Sequence, residues 1–97
     1  VKFASFLDQD NRIFLGKKMK VELRLFGDLR KYLPENNNGF SSMIVLKIGK
    51  TVGDLLKQMN IPPEIPKIIL VNSLHAELYQ ELKDGDTVSV FPPVAGG

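Results

Sequence analysis

Few groups in this 97-residue chain are equipped for chemistry, and most of them have a plain structural explanation. His75 is the lone histidine, and there is no cysteine. Thiol nucleophiles, disulfides and zinc thiolate sites are therefore excluded. A metal site would need carboxylates alone, and none is expected. Ser73 lies near His75, but nothing places an acid behind them for a nucleophilic triad. Asp84 and Asp86 flank Gly85, which is the chemistry of a tight turn more than that of an acid–base pair. Gly49-Lys50-Thr51 matches the end of a phosphate-binding loop. The glycine that such a loop needs at position 44 is Ile44, so a turn and a helix cap account for the motif.

The segment Phe91-Pro92-Pro93-Val94-Ala95-Gly96-Gly97 reads differently. Glycine loses the most conformational entropy on ordering and packs nothing, so Gly96-Gly97 is a poor structural device after a strand. A use in recognition makes sense of it. Two residues without Cβ can thread a narrow channel in a partner and present a terminal carboxylate there. Pro92-Pro93 stiffens the exit, so that the tail projects instead of folding back.

The elements that must position this tail follow from periodicity. Val21, Leu23 and Leu25 alternate with polar residues in a half-buried strand, and Phe26 falls on the opposite face. Gly27 ends the strand, and Asp28 is placed to cap a short helix running to about Leu33. Pro34 to Gly39, including Asn36-Asn37-Asn38, is a polar loop. Ser42 to Ile48 is a second strand, with Ile44, Leu46 and Ile48 on one face. Thr51 with Asp54 has the form of a capping box, and Val52, Leu55, Leu56 and Met59 follow at helical spacing. Ile68-Ile69-Leu70-Val71 is a continuous apolar run, expected to be a central strand covered on both faces. Leu74 to Leu78 is a short extended piece. Thr87 to Phe91 alternates strictly, with Val88 and Val90 on one face and Phe91 on the other. Pro92-Pro93 stops it. Helices on one face of a mixed sheet make an α+β domain. A β-grasp, with four to five strands on one or two helices, fits the order and the size.

Composition sets the bounds. Apolar residues are 43% and charged residues 25%, ordinary for one globular domain. A chain this short buries only roughly 60–65% of its unfolded surface, which leaves little room for a large cofactor pocket beside a stable core. That favours a carrier, a binding module or a subunit. The formal net charge is +2, and all of it falls in residues 1–18; residues 19–97 balance nine basic against nine acidic side chains. A basic surface for nucleic acid is not expected on such a body. No apolar run approaches a membrane span, and the lack of cysteine suits a cytoplasmic location. Residues 1–18 keep no clean period, and the regular pattern starts at Met19. Met19 is expected as the natural start, residues 1–18 as a flexible or non-native extension, 19–91 as the domain and 92–97 as a mobile tail.

The terminal heptapeptide resembles the signature of the MoaD/ThiS family of sulfur carriers, closest to the small subunit of molybdopterin synthase, MoaD. Leu82-Lys83-Asp84-Gly85-Asp86-Thr87-Val88 is similar to that family's L-x-D-G-D-x-V. Val21 to Leu33, Thr51 to Leu56 and Ile69 to Asn72 resemble its first strand and helix, its second helix start and a strand end. The resemblance covers residues 19–97. It implies a cycle run by partners. An adenylyltransferase of the ubiquitin-activating type (MoeB/ThiF-like) would use ATP to activate the Gly97 carboxylate. A sulfur donor would then leave a thiocarboxylate there. In the MoaD branch a large subunit (MoaE-like) would receive the tail, and the sulfur would build the dithiolene of molybdopterin. No cofactor bound to the chain itself is implied. Phe26, Phe91, Pro92, Pro93, Val94 and Ala95 would contact the partners. His75 falls where the family often has an apolar contact residue. A ThiS-like carrier for thiamine or another sulfurated metabolite, a ubiquitin-like modifier, and a plain interaction domain are the rival readings.

Overall fold

A computed structural model describes residues 17–93. Five strands and two short helices follow in the order β1 (Lys18–Leu25), a 3₁₀ helix (Gly27–Tyr32), β2 (Ser41–Lys47), α1 (Val52–Gln58), β3 (Ile68–Val71), β4 (Leu74–His75) and β5 (Thr87–Phe91). The strands form one sheet in the order β2-β1-β5-β3-β4. β1 and β5 run parallel at its centre, while β1–β2, β3–β5 and β3–β4 are antiparallel. Such a mixed sheet with one α-helix is the β-grasp form of an α+β fold.

Alternation decides which face each side chain takes. Met19, Val21, Leu23 and Leu25 of β1 are fully buried, as are Val88 and Val90 of β5. They join Ile44, Leu46, Ile69, Val71 and the helix residues Val52, Leu55 and Leu56 in a single core. Burying each such aliphatic side chain contributes roughly 1.5–3 kcal/mol. The helix forms where its start is well capped. Thr51 Oγ1 accepts from the Asp54 N–H at 3.2 Å, and Asp54 Oδ2 accepts from the Thr51 N–H at 2.9 Å. The capping box expected from sequence is therefore present.

Several expectations need correction. The N-cap of the 3₁₀ helix is Phe26, with no side-chain cap; Asp28 sits inside the first turn instead. β1 takes in Lys18, and the Lys17 carbonyl accepts from the Ile48 N–H at 3.0 Å. Ile48 lies beyond the end of β2 and is exposed. β3 is internal but covered on one face only: Ile69 and Val71 are buried while Ile68 and Leu70 are not, because no helix lies on that side. β4 is only two residues long. Asn72 and Ser73, at φ 51° and 72°, make the tight turn that joins it to β3.

The Asp84–Asp86 segment is a staple. Asp84 Oδ1 accepts from the Lys20 N–H at 2.8 Å, Asp86 Oδ2 from the Lys83 N–H at 2.8 Å, and Asp86 Oδ1 from Asn72 Nδ2 at 2.9 Å. Both carboxylates are thus spent on holding the turn before β5 against β1 and the end of β3.

The outer edge of β2 is partly occupied. Ser41 exchanges bonds with Asn38, the Val45 carbonyl accepts from Gln58 Nε2 at 3.5 Å, and the Lys47 carbonyl accepts from the Lys50 N–H at 3.3 Å. The sheet also leaves its helix-free face uncovered.

Candidate functional site

The site grows from the end of β5. Register places Leu25 opposite Val90, and the Phe26 N–H continues the ladder to the Val90 carbonyl at 3.1 Å. Phe26 and Phe91 therefore stand side by side on the helix-free face. Their rings are 4.4 Å apart between centroids, with planes 4° apart. Each is half-buried. Both lie outside the core, on the face opposite Val88 and Val90. On the far side of Phe91, register brings Ile68 alongside, with 38% of its surface exposed.

The residue that follows is held as well. Gly27 adopts φ +59°, and a Cβ built there would lie 2.8 Å from Pro92 Cγ. Pro92 is half-buried against this turn, and Pro93 is exposed. The absence of a side chain at Gly27 is what lets the proline ring settle. Val94, Ala95, Gly96 and Gly97 lie outside the described residues.

His75 is exposed and sits opposite Leu70 in the β3–β4 pair. Leu70 in turn faces Ser89, which shares the face of Phe91. His75 is therefore on the same face as the aromatic pair but at the sheet's far edge. Further along β1 from Phe26, Arg24 and Glu22 make an ion pair with Nε to Oε2 at 3.1 Å. The Arg24 hydrogen bond is the main reason that the Glu22 carboxyl is held below its usual value.

Phe40 was missed by the sequence reading. Its ring lies 6.1 Å from that of Phe26, tilted by 33°. Alternation carried back from Ile44 and Ser42 assigns Phe40 to the core side. A bend at Gly39-Phe40 breaks that alternation. The one available signal was an aromatic residue stranded in a polar loop.

Among the described residues, no group of three or more His, Asp or Glu side chains could hold a metal ion. No helix there is long and apolar enough to cross a membrane.

A β-grasp body with its last strand in the middle of the sheet has the architecture shared by sulfur carriers and ubiquitin-like modifiers. The chain belongs to the ThiS family, whose profile matches residues 23–97. Among solved structures, it is similar to a Pyrococcus furiosus chain assigned as subunit 1 of molybdopterin converting factor, at 28% identity and TM-score 0.60, covering 78% of this chain and 99% of that one. It is also similar to SAMP1 from Haloferax volcanii, at 25% identity and TM-score 0.62, covering 80% of this chain and 99% of that one. A third likeness is to the complex of subunits 1 and 2 of molybdopterin-converting factor from Helicobacter pylori, at 27% identity and TM-score 0.51, covering 81% of this chain and 100% of that one. A search of curated proteins finds no match.

Proposed function

We propose that the protein is a sulfur carrier whose Gly97 carboxylate is converted to a thiocarboxylate, and that it serves as the small subunit of a molybdopterin synthase. An ATP-using adenylyltransferase of the MoeB/ThiF type joins the carboxylate to AMP and releases pyrophosphate. Sulfide, or a donor that delivers it, then attacks the acyl carbon. The carbon–oxygen bond to AMP breaks, a carbon–sulfur bond forms, and AMP departs. A MoaE-like large subunit receives the tail and uses the sulfur for the molybdopterin dithiolene. ATP is a substrate of the activating partner, and no bound cofactor is invoked for this chain.

The observation that carries the reading is the stacked Phe26–Phe91 pair at the root of the tail, on the one sheet face that has no helix over it. Half-buried aromatic rings on a rigid strand are well suited as interface residues. The likeness to molybdopterin converting factor subunit 1, and to its complex with subunit 2, supports the MoaD branch and a MoaE-like partner. Phe26, Phe91, Pro92 and Pro93 are the proposed contacts, with His75 at the margin of the same face. Val94 and Ala95 lead Gly96-Gly97 into the partner.

The likeness to SAMP1 favours a second reading, a ubiquitin-like modifier joined through Gly97 to lysines of other proteins. A ThiS-like carrier for thiamine or another sulfurated metabolite uses the same first steps. The test is intact mass after incubation with ATP, a cognate adenylyltransferase and sulfide, for the full chain and for one lacking Gly96-Gly97. A gain of about 16 Da, sulfur for oxygen, is expected on the full chain alone. No gain with a demonstrably active partner would discard the carrier reading. Gly-Gly remnants on lysines of other proteins would favour the modifier.

A further inference from the structure

Phe40 lies outside the strands, in the bend just before β2, and its backbone is nevertheless fixed. Asn38 Oδ1 accepts from the Phe40 N–H at 3.3 Å, the Ser41 N–H at 2.9 Å and Ser41 Oγ at 3.1 Å. Asn37 Oδ1 accepts from the Gly39 N–H at 2.7 Å. The Phe40 carbonyl accepts from the Leu25 N–H at 2.8 Å, which ties the bend to β1. The Asn-rich loop is thus a bracket that grips the backbone on both sides of the ring. The ring itself keeps 42% of its surface in solvent. A large apolar side chain on a backbone already held in place, and left half in water, costs less backbone ordering when a partner arrives.

The position of Phe40 matters as much as its rigidity. Ile68, Phe91, Phe26 and Phe40 follow one another across the end of the sheet from which the chain leaves. Pro92 packs on Gly27 one residue after Phe91, so a partner that takes up the segment following Pro93 meets it starting from this end. Phe40 extends the contact strip away from the tail, past Phe26, to the loop before β2.

We infer that Phe40 is a specificity-determining residue for the ATP-using enzyme that activates Gly97, accepting an apolar side chain from that enzyme's surface, and that Asn38 is its positioning residue. The inference rests on the carrier reading above.

The test is the kinetics of pyrophosphate release by the cognate adenylyltransferase, with the full-length carrier as the varied substrate. Phe40→Ser is expected to raise KM about fivefold or more while kcat stays within about twofold, as for contact energy shared by the ground and transition states. Phe40→Leu should fall between. Asn38→Ala should raise KM partway, and Asn38→Asp should restore it, because a carboxylate oxygen accepts the same three bonds. Thermal melts of each variant separate a folding loss from a contact loss. An unchanged KM for Phe40→Ser with an active wild-type chain overturns this inference alone. No pyrophosphate release with the wild-type chain overturns the carrier reading and this inference with it.

Discussion

The ring of Phe26 lies parallel to the ring of Phe91 at 4.4 Å; Phe26 directly follows β1 and Phe91 ends β5, strands that are neighbours in the sheet, and the two residues are more than sixty positions apart in sequence. The pair therefore exists only once the parallel β1–β5 ladder has formed. An aromatic pair of this kind contributes about 0.5–1.5 kcal/mol beyond its area. Phe91→Ala is expected to leave a folded protein, since Val88 and Val90 on the other face carry the core. Its KM with the activating enzyme should rise about tenfold, the effect of losing about 1.4 kcal/mol at an interface. Titration kinetics paired with a thermal melt check this. A KM unchanged within error would remove the aromatic pair from the contact surface.

Gly27 links fold and tail at a single backbone position. Its φ of +59° disfavours a β-branched residue, and its missing Cβ is where the Pro92 ring packs. Gly27→Val should cost about 1–3 kcal/mol through strain and collision together. In a domain this small, each kcal/mol corresponds to roughly 4–8 °C in melting temperature. The amide resonances of Val88 to Phe91 should shift as Pro92 is displaced. A variant that melts with the wild type and keeps those resonances in place would mean that the proline does not need the gap.

The fold was legible in this chain because its elements obey local rules. The alternation of Val21, Leu23 and Leu25 and of Val88 and Val90, and the Thr51–Asp54 box, need nothing beyond near neighbours to be read. Phe26 and Phe91 were found for the same reason, as residues out of step with an apolar face. Phe40 was not, because its orientation is set by the Asn38 bracket and by the Leu25 N–H across the strand pair. β3 was misjudged because four apolar residues in a row look the same whether one face is covered or two. Only the placement of α1 on one side of the sheet decides that Ile68 and Leu70 stay half in solvent.

Asp54 supplies a pH-dependent part of stability. The Thr51 backbone hydrogen bond is the main cause that holds its carboxyl below the usual 3.8, with the Thr51 hydroxyl adding to it. A carboxylate whose folded pKa is depressed stabilises the fold at pH values above 3.8, and that contribution is lost as pH falls through the folded value. Asp54→Asn should therefore be less stable than the wild type near neutral pH. The gap should close as the solution is acidified below about pH 4. Denaturant melts across that range measure it, and a gap of constant size would assign the effect to packing instead of charge.

Glu22 and Arg24 sit two residues apart on the same face of β1, so their ion pair is local and partly exposed. A pair in that setting contributes about 0–1 kcal/mol to stability. Its chemical mark should be clearer than its energetic one. The Glu22 carboxyl is held below 4.5 first by the hydrogen bond from Arg24, against a smaller opposing effect of burial. Arg24→Ala removes both that bond and the nearby positive charge, leaving weaker hydrogen bonds from Ser41 and Thr87. The Glu22 pKa should therefore rise in the variant while the melting temperature changes by no more than a few degrees. Carboxyl chemical shifts followed by NMR through the acidic range read the pKa directly. If Glu22 titrates at the same pH with and without Arg24, the pair does not persist in solution, and this part of the helix-free face carries two independent charges.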